Sequence, residues 1–270
     1  MYELTAPATS CSVDTTFNHH VGVWADARTM TARSLRLSLR SVDGLITALA
    51  VPIMLMLMFV YLFGGVIHTG VHYVDYVVPG VLLVCAGFGV GTTAVSVAQD
   101  LTTGIIDRFR SMDVRGEVLI TGHVVASMAR NVVSMTLIFA VAFAIGFRSG
   151  ASLAEWLGAV GILALFILAL TWLAAAIGIM SNSSQAANGM TFLFIFLAYP
   201  SSAFVPIHTM PSWLRGFAEF QPFTPVINTI RDFLDETPVG ASAWHAVAWS
   251  IGIIAASILV AGFLYRRRTR

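Results

Sequence analysis

The chain contains no lysine: all 15 of its basic residues are arginine. A Walker-A loop needs a lysine on the nucleotide phosphates, and a Schiff-base lysine or a Ser-Lys dyad is excluded on the same ground. Any ATP-driven work done through this chain must therefore borrow an ATPase from another one. Charge of either sign is also scarce. Only 11% of the 270 residues are Asp, Glu, Lys or Arg, against roughly 25% in a soluble domain. With 57% hydrophobic residues and a mean hydropathy of +0.81, the composition cannot build a water-exposed surface, and it reads as an integral membrane protein. The net charge of +1 gives no nucleic-acid signal, because a polyphosphate partner requires a clustered basic face. Two cysteines, Cys11 in a polar tail and Cys85 in an apolar run, make no disulfide framework.

What is abundant is uncharged sequence. Stretches free of Asp, Glu and Arg cover 44–74, 76–99, 131–147, 156–214 and 237–265. A spanning helix needs about 20 mostly apolar residues. The long stretch is divided by the hydrogen-bonding run SNSSQAAN (181–188), and the short one extends back through uncharged 118–129. Six spans are predicted, at about 45–67, 76–98, 120–147, 156–180, 187–204 and 243–265. Met1 to Gly44 lacks the basic-then-apolar layout of a cleavable signal, so the first apolar run is expected to stay as an anchor.

Arginine placement sets the orientation. With both termini cytoplasmic, eleven arginines fall inside, including Arg266, Arg267, Arg268 and Arg270 of the terminal RRRTR, and three outside: Arg148, Arg215 and Arg231. Arg130 lies within the third span; a lone arginine at a span's centre costs about 2.5–3.5 kcal/mol on insertion scales. Two readings stand for it, snorkelling to the inner surface or pairing with a neighbouring helix or polar cavity.

Several segments are candidates for function. Seven of the 29 charged residues crowd between Asp100 and Glu117 in DLTTGIIDRFRSMDVRGEVL, on the predicted cytoplasmic side. Arg33, Arg36 and Arg40 follow i, i+3, i+7 spacing in 24–44, as in an amphipathic helix on the inner membrane surface; a plain basic tail is the simpler alternative. Gly87 and Gly91 form a G-x-x-x-G suited to close helix packing and lack the βα context of a dinucleotide loop. His68 and His72 are spaced i, i+4, but no third ligand beyond Asp75 accompanies them, which favours an ordinary solvent-facing pair over a metal site. Residues 201–238 are too apolar for a solvated loop and too rich in proline for a span, with Pro206, Pro211, Pro222, Pro225 and Pro238. Proline belongs in a first helical turn, so MPSWLRGFAEF and TPVINTIRDFL read as two short helices meeting at QPF. Irregular backbone at membrane depth needs protein or a water cavity to cover it; a gate or re-entrant lid and an interfacial cap are the two readings. No catalytic or metal constellation emerges.

GIIDRFRSM, after the second span, and AFVPIHTMPSWLRGFAEFQPFTPVINTIRDFL, before the last, together resemble the permease family of type-2 ABC exporters, in particular its daunorubicin/doxorubicin-resistance branch. The resemblance runs from the Arg-rich entry helix to the C-terminus. It implies an all-α membrane fold: an N-terminal tail 1–23, one transmembrane domain 24–265 with six helices, and a basic tail 266–270. It implies a connecting helix bearing Arg33, Arg36 and Arg40. Its coupling helix would comprise Gly104, Ile105, Ile106, Asp107, Arg108, Phe109, Arg110, Ser111 and Met112. The paired outer helices would carry Pro206, Pro211, Trp213, Pro222, Asn228 and Arg231. The branch often has Pro where this chain has Asp113. Such a permease is not itself an enzyme. It works in the bacterial cytoplasmic membrane as a pair, with an identical or sister permease, beside two copies of an ATPase subunit that holds the ATP and Mg; membrane lipids surround it.

The expected function is export of a hydrophobic or amphipathic drug-like compound or lipid. Phe88, Phe192, Phe194, Phe196 and Tyr199 offer an aromatic surface for its path, although such residues on membrane helices more often face lipid or neighbouring helices. Three competing readings are export of a lipid-linked glycan or cell-envelope lipid, a membrane scaffold or binding protein that transports nothing, and an intramembrane enzyme, which the lack of paired polar catalytic groups within the spans disfavours.

Overall fold

The structure, a computed structural model, describes residues 42–67, 72–103 and 116–268. Eight α-helices account for most of them: α1 Val42–Met58, α2 Tyr73–Thr102, α3 Gly116–Ala144, α4 Leu153–Met180, α5 Ser184–Ala198, α6 Ser212–Phe220, α7 Phe223–Leu234 and α8 Ser242–Arg268. α1 continues into a π-helical turn, Phe59–Phe63, and a 3-10 turn, Ile207–Thr209, precedes α6. No strand occurs among the described residues.

Four helices are long and apolar enough to cross a membrane: Tyr73–Thr102, Ile120–Ala144, Leu153–Met180 and Ser242–Leu264. They match four of the six predicted spans. The other two predictions fall on shorter apolar helices, Leu49–Phe63 and Ser184–Ala198. The predicted span 187–204 ends at Ala198. Its 15 residues reach only about 22 Å at 1.5 Å per residue, short of a hydrocarbon core about 30 Å thick. The helix stops because Pro200 has no N–H to offer and Ser201 turns its hydroxyl back to the Ala198 carbonyl.

Local chemistry explains the other boundaries. Ser152 and Glu155 form a capping box at the start of α4: the Ser152 amide donates to Glu155 Oε2 at 2.6 Å, and the Glu155 amide to Ser152 Oγ at 3.4 Å. The polar run that divides the long apolar stretch does so at Ser181–Ser183, where Ser183 Oγ accepts from the Ala186 amide at 3.1 Å and caps α5. Gly146, at φ 109°, closes α3, a backbone region that favours glycine.

α2 is the central column. It is buried along nearly all its length, from Tyr73 to Ala98, and packs against α1, α3, α4, α5 and α7. The G-x-x-x-G prediction holds in this packing. A Cβ on Gly91 would stand 3.1 Å from Thr191 Oγ1 and one on Gly87 3.6 Å from Ile195, so both glycines face α5. Gly89 admits Asn131 of α3 in the same way.

Candidate functional site

The prolines of 201–238 fall where short helices need them. Pro211 and Pro222 precede the first residues of α6 and α7, Pro206 precedes the 3-10 turn, and Pro225 lies in the first turn of α7. The two helices then part company. α6 buries only Ala218 and exposes Trp213, Phe217 and Phe220, at i, i+4 and i+7. α7 is inserted among α2, α4 and α8 and buries eight side chains, from Phe223 to Leu234. Phe223 meets Phe166 of α4 edge to face at 5.2 Å. The ring of Phe233 occupies the space over Gly158 of α4.

Between α5 and the 3-10 turn the backbone is irregular yet buried: Ser201, Ser202, Ala203 and Phe204 are each less than 5% exposed. Buried backbone groups must find partners, and here three side chains serve alternate carbonyls. Gln221 Nε2 donates to the Pro200 carbonyl at 2.6 Å, Arg231 Nη2 to Ser202 at 2.9 Å, and Tyr73 Oη to Phe204 at 2.9 Å. The Ser202 amide donates to Thr224 Oγ1 at 3.4 Å.

Arg231 is the hub of this arrangement. Its Nη2 also donates to the Tyr76 carbonyl at 2.9 Å, its Nη1 to Asn228 Oδ1 at 3.2 Å, and its guanidinium lies 3.8 Å from the centre of the Tyr76 ring. Ser202 Oγ donates to the same Asn228 oxygen at 2.7 Å. A residue counted in sequence among the charges outside the spans is thus partly buried and tied to α2, α7 and the turn after α5. Beyond the end of α7, burial pushes the Asp235 carboxyl up, and the charge of Arg231 pulls it back. The other two arginines of this end also bind carbonyls: Arg148 those of Phe143 and Phe147, Arg215 those of His208 and Met210. A cleft opens between α6, α7 and α8, with Glu219, Thr224, Asn228, His245 and Trp249 on its walls.

The opposite end of α2 and α3 flanks the charged island. His123 Nε2 lies 2.8 Å from Asp100 Oδ2 and joins the two helices there. The expected coupling residues, Gly104 to Met112, and the expected connecting-helix residues Arg33, Arg36 and Arg40 lie outside the described residues.

The model of the ABC-2 type transporter family matches residues 26–234. The chain belongs to that family. It is similar to the daunorubicin resistance ABC transporter permease protein of Streptomyces coeruleorubidus, 25% identical over 226 residues that cover 83% of this chain and 80% of the relative. A second relative is the probable doxorubicin resistance ABC transporter permease protein of Mycobacterium tuberculosis, 20% identical over 224 residues, or 82% of this chain and 81% of the relative. A third, ABC transporter G family member 20 of Dictyostelium discoideum, is 22% identical over 70% of this chain, which is 25% of that longer protein. The resemblance read from the two motifs therefore stands, and the chain is a multi-pass, helical ABC-2 protein.

In this ABC-2 bundle, the aromatic residues expected along a path differ in exposure. Phe192 and Phe196 are exposed on α5 and Tyr199 at its C-cap, Phe194 is buried, and Phe88 is half-buried on α2 against the core. Tyr199 stacks on Phe204, which stacks in turn on Phe59 at 4.3 Å. Of the two readings for Arg130, pairing is the one observed: its Nη2 donates to the hydroxyls of Thr92 and Thr93 on α2 at 3.0 and 3.1 Å. Sequence reasoning did not single out Tyr73, Tyr76, Ser202, Gln221 or Thr224. Tyr73 and Tyr76, three residues apart at the head of an apolar helix, were the signal available, since tyrosine at a span end carries a hydroxyl that seeks a partner.

Proposed function

We propose that this chain is the membrane subunit of an ATP-driven exporter that moves a hydrophobic or amphipathic drug-like compound out across the bacterial cytoplasmic membrane. The observation that carries the reading is α7: a short helix that follows an incomplete fifth span and is inserted among the spans. Similarity to two drug-resistance permeases over about four fifths of the chain supports the cargo class.

In this reading six segments span the membrane, with α1 and its π-helical turn as the first and α5 as a short fifth. Both termini and the 104–112 segment face the cytoplasm, where the arginine excess lies. Ile105, Ile106 and Phe109 bury in a cleft of the ATPase subunit, while Asp107, Arg108 and Arg110 set the register, with Gly104, Ser111 and Met112 at the helix ends. Closure of the ATPase pair on ATP and Mg moves this segment and tilts α2 and α3. Docking couples the two events only if it differs between the two states. At the other end Pro206, Pro211, Trp213, Pro222, Asn228 and Arg231 belong to the gate formed by α6 and α7. Two copies of the permease, or this chain and a sister, enclose the path, with Phe192 and Phe196 of α5, Tyr199 at its end, and Phe88 of α2 offered to cargo.

The test is co-purification of an ATPase with the chain, followed by transport in proteoliposomes. ATP-dependent movement of an anthracycline with no response to lipid-linked glycan supports this cargo; the reverse response transfers the reading to envelope export.

A further inference from the structure

Among the described residues, α2 runs from the end beside the charged island to the α5–α7 connection. Its last turn leads into the 104–112 segment in sequence and is clasped to α3 through Asp100 and His123. Its first turns are fastened to the α5–α7 connection. There, Tyr73 Oη holds the Phe204 carbonyl at 2.9 Å, and the Tyr76 carbonyl and ring hold Arg231. One turn further, Gly80 lets α2 approach so closely that a Cβ would stand 2.6 Å from the Cα of Ala203. At 30 residues, with Pro79 inside it, the helix is about 45 Å long at 1.5 Å per residue, enough to reach from one end to the other.

Of these fastenings only Arg231 reaches three elements at once. It binds the Tyr76 carbonyl of α2, the Ser202 carbonyl of the irregular turn and Asn228 of its own helix α7. Its planar fork can donate to two carbonyls while its face lies on the Tyr76 ring, a geometry that the point charge of a lysine does not reproduce. The Tyr73 and Gly80 contacts reach the turn but not α7.

We infer that Arg231 is a positioning residue for transport: it carries displacement of α2 to α7, so that the far end of the bundle opens in step with the ATPase. The inference rests on the exporter reading and deepens it by naming the side chain through which the gate is driven. Without the guanidinium, α2 still moves when the ATPase closes, but α7 no longer follows. ATP turnover then continues while cargo movement falls.

The experiment uses the full permease with its ATPase in proteoliposomes and measures ATP hydrolysis and anthracycline efflux together. Arg231→Lys and Arg231→Ala are each expected to keep the hydrolysis rate within about twofold and to lower cargo moved per ATP by about tenfold, within the usual range of a coupling between sites. Tyr76→Leu, which removes the ring and keeps the carbonyl, is expected to lower the same ratio in the parent and to add nothing in the Arg231→Lys background. Where Arg231→Ala fails to fold, the lysine and leucine variants carry the test. Parallel loss of hydrolysis, efflux and thermal stability would reduce Arg231 to a structural role and overturn the inference. So would an unchanged ratio of efflux to hydrolysis in Arg231→Lys. Absence of ATP-dependent efflux in the parent complex, by contrast, would overturn the exporter reading itself.

Discussion

Glycines on α2 and elsewhere separate packing from mere helix chemistry at single residues. A Cβ on Gly80 would collide with the backbone and side chain of Ala203, and overpacking of this kind costs about 1–3 kcal/mol. Gly80→Ala is therefore expected to lower the melting temperature of the detergent-solubilised protein. At Gly161 in α4 and Gly252 in α8 nothing lies within 4 Å of the added atom. There, alanine removes a helix penalty of about 1 kcal/mol and should leave the melting temperature equal or higher. Equal losses at all three sites would contradict the close approach of α2 to the 201–205 turn. The Ser152 cap gives a further residue-scale expectation: Ser152→Ala should destabilise α4 by about 0.5–2 kcal/mol, read in the same melts.

Elements were legible in the sequence where a local chemical signal marked them. The SNSSQAAN run breaks the long apolar stretch at Ser181–Ser183, the prolines mark the starts of α6 and α7, and the glycine pair marks a close helix contact on α2, whose partner, α5, only the structure shows. What was not legible came from tertiary structure. Hydropathy counts apolar side chains and does not report where the backbone leaves the helix, so the predicted fifth span runs on to residue 204 through a turn that buries Ser201, Ser202, Ala203 and Phe204. Arg231 counts in sequence with the charges of an outer segment, because sequence cannot show that the carbonyls of residues 76 and 202 converge on it. The aromatic path residues were named by type, and the bundle distributes them between the outside of α5 and the core. At this scale the Asp100–His123 pair offers a test of how α2 and α3 are held at the end next to the charged island. A double-mutant cycle with Asp100→Asn and His123→Ala should give an interaction energy of about 0.5–3 kcal/mol; purely additive losses would show that the 2.8 Å contact does not hold the helices together.

The whole molecule is an apolar helical bundle without lysine that belongs to the ABC-2 type transporter family. In the proposed mechanism its work comes from a partner ATPase and enters through the island of charge at 100–117. The most direct measurement is efflux of an anthracycline from proteoliposomes holding the chain and its co-purified ATPase, for the parent and for the double variant Arg108→Glu, Arg110→Glu. The parent should move cargo only with ATP, and the variant should insert into the membrane normally yet lose transport by tenfold or more, with about 10-fold lying inside the range expected for coupling between sites. Undiminished transport in the correctly inserted double variant would contradict a coupling role for residues 104–112.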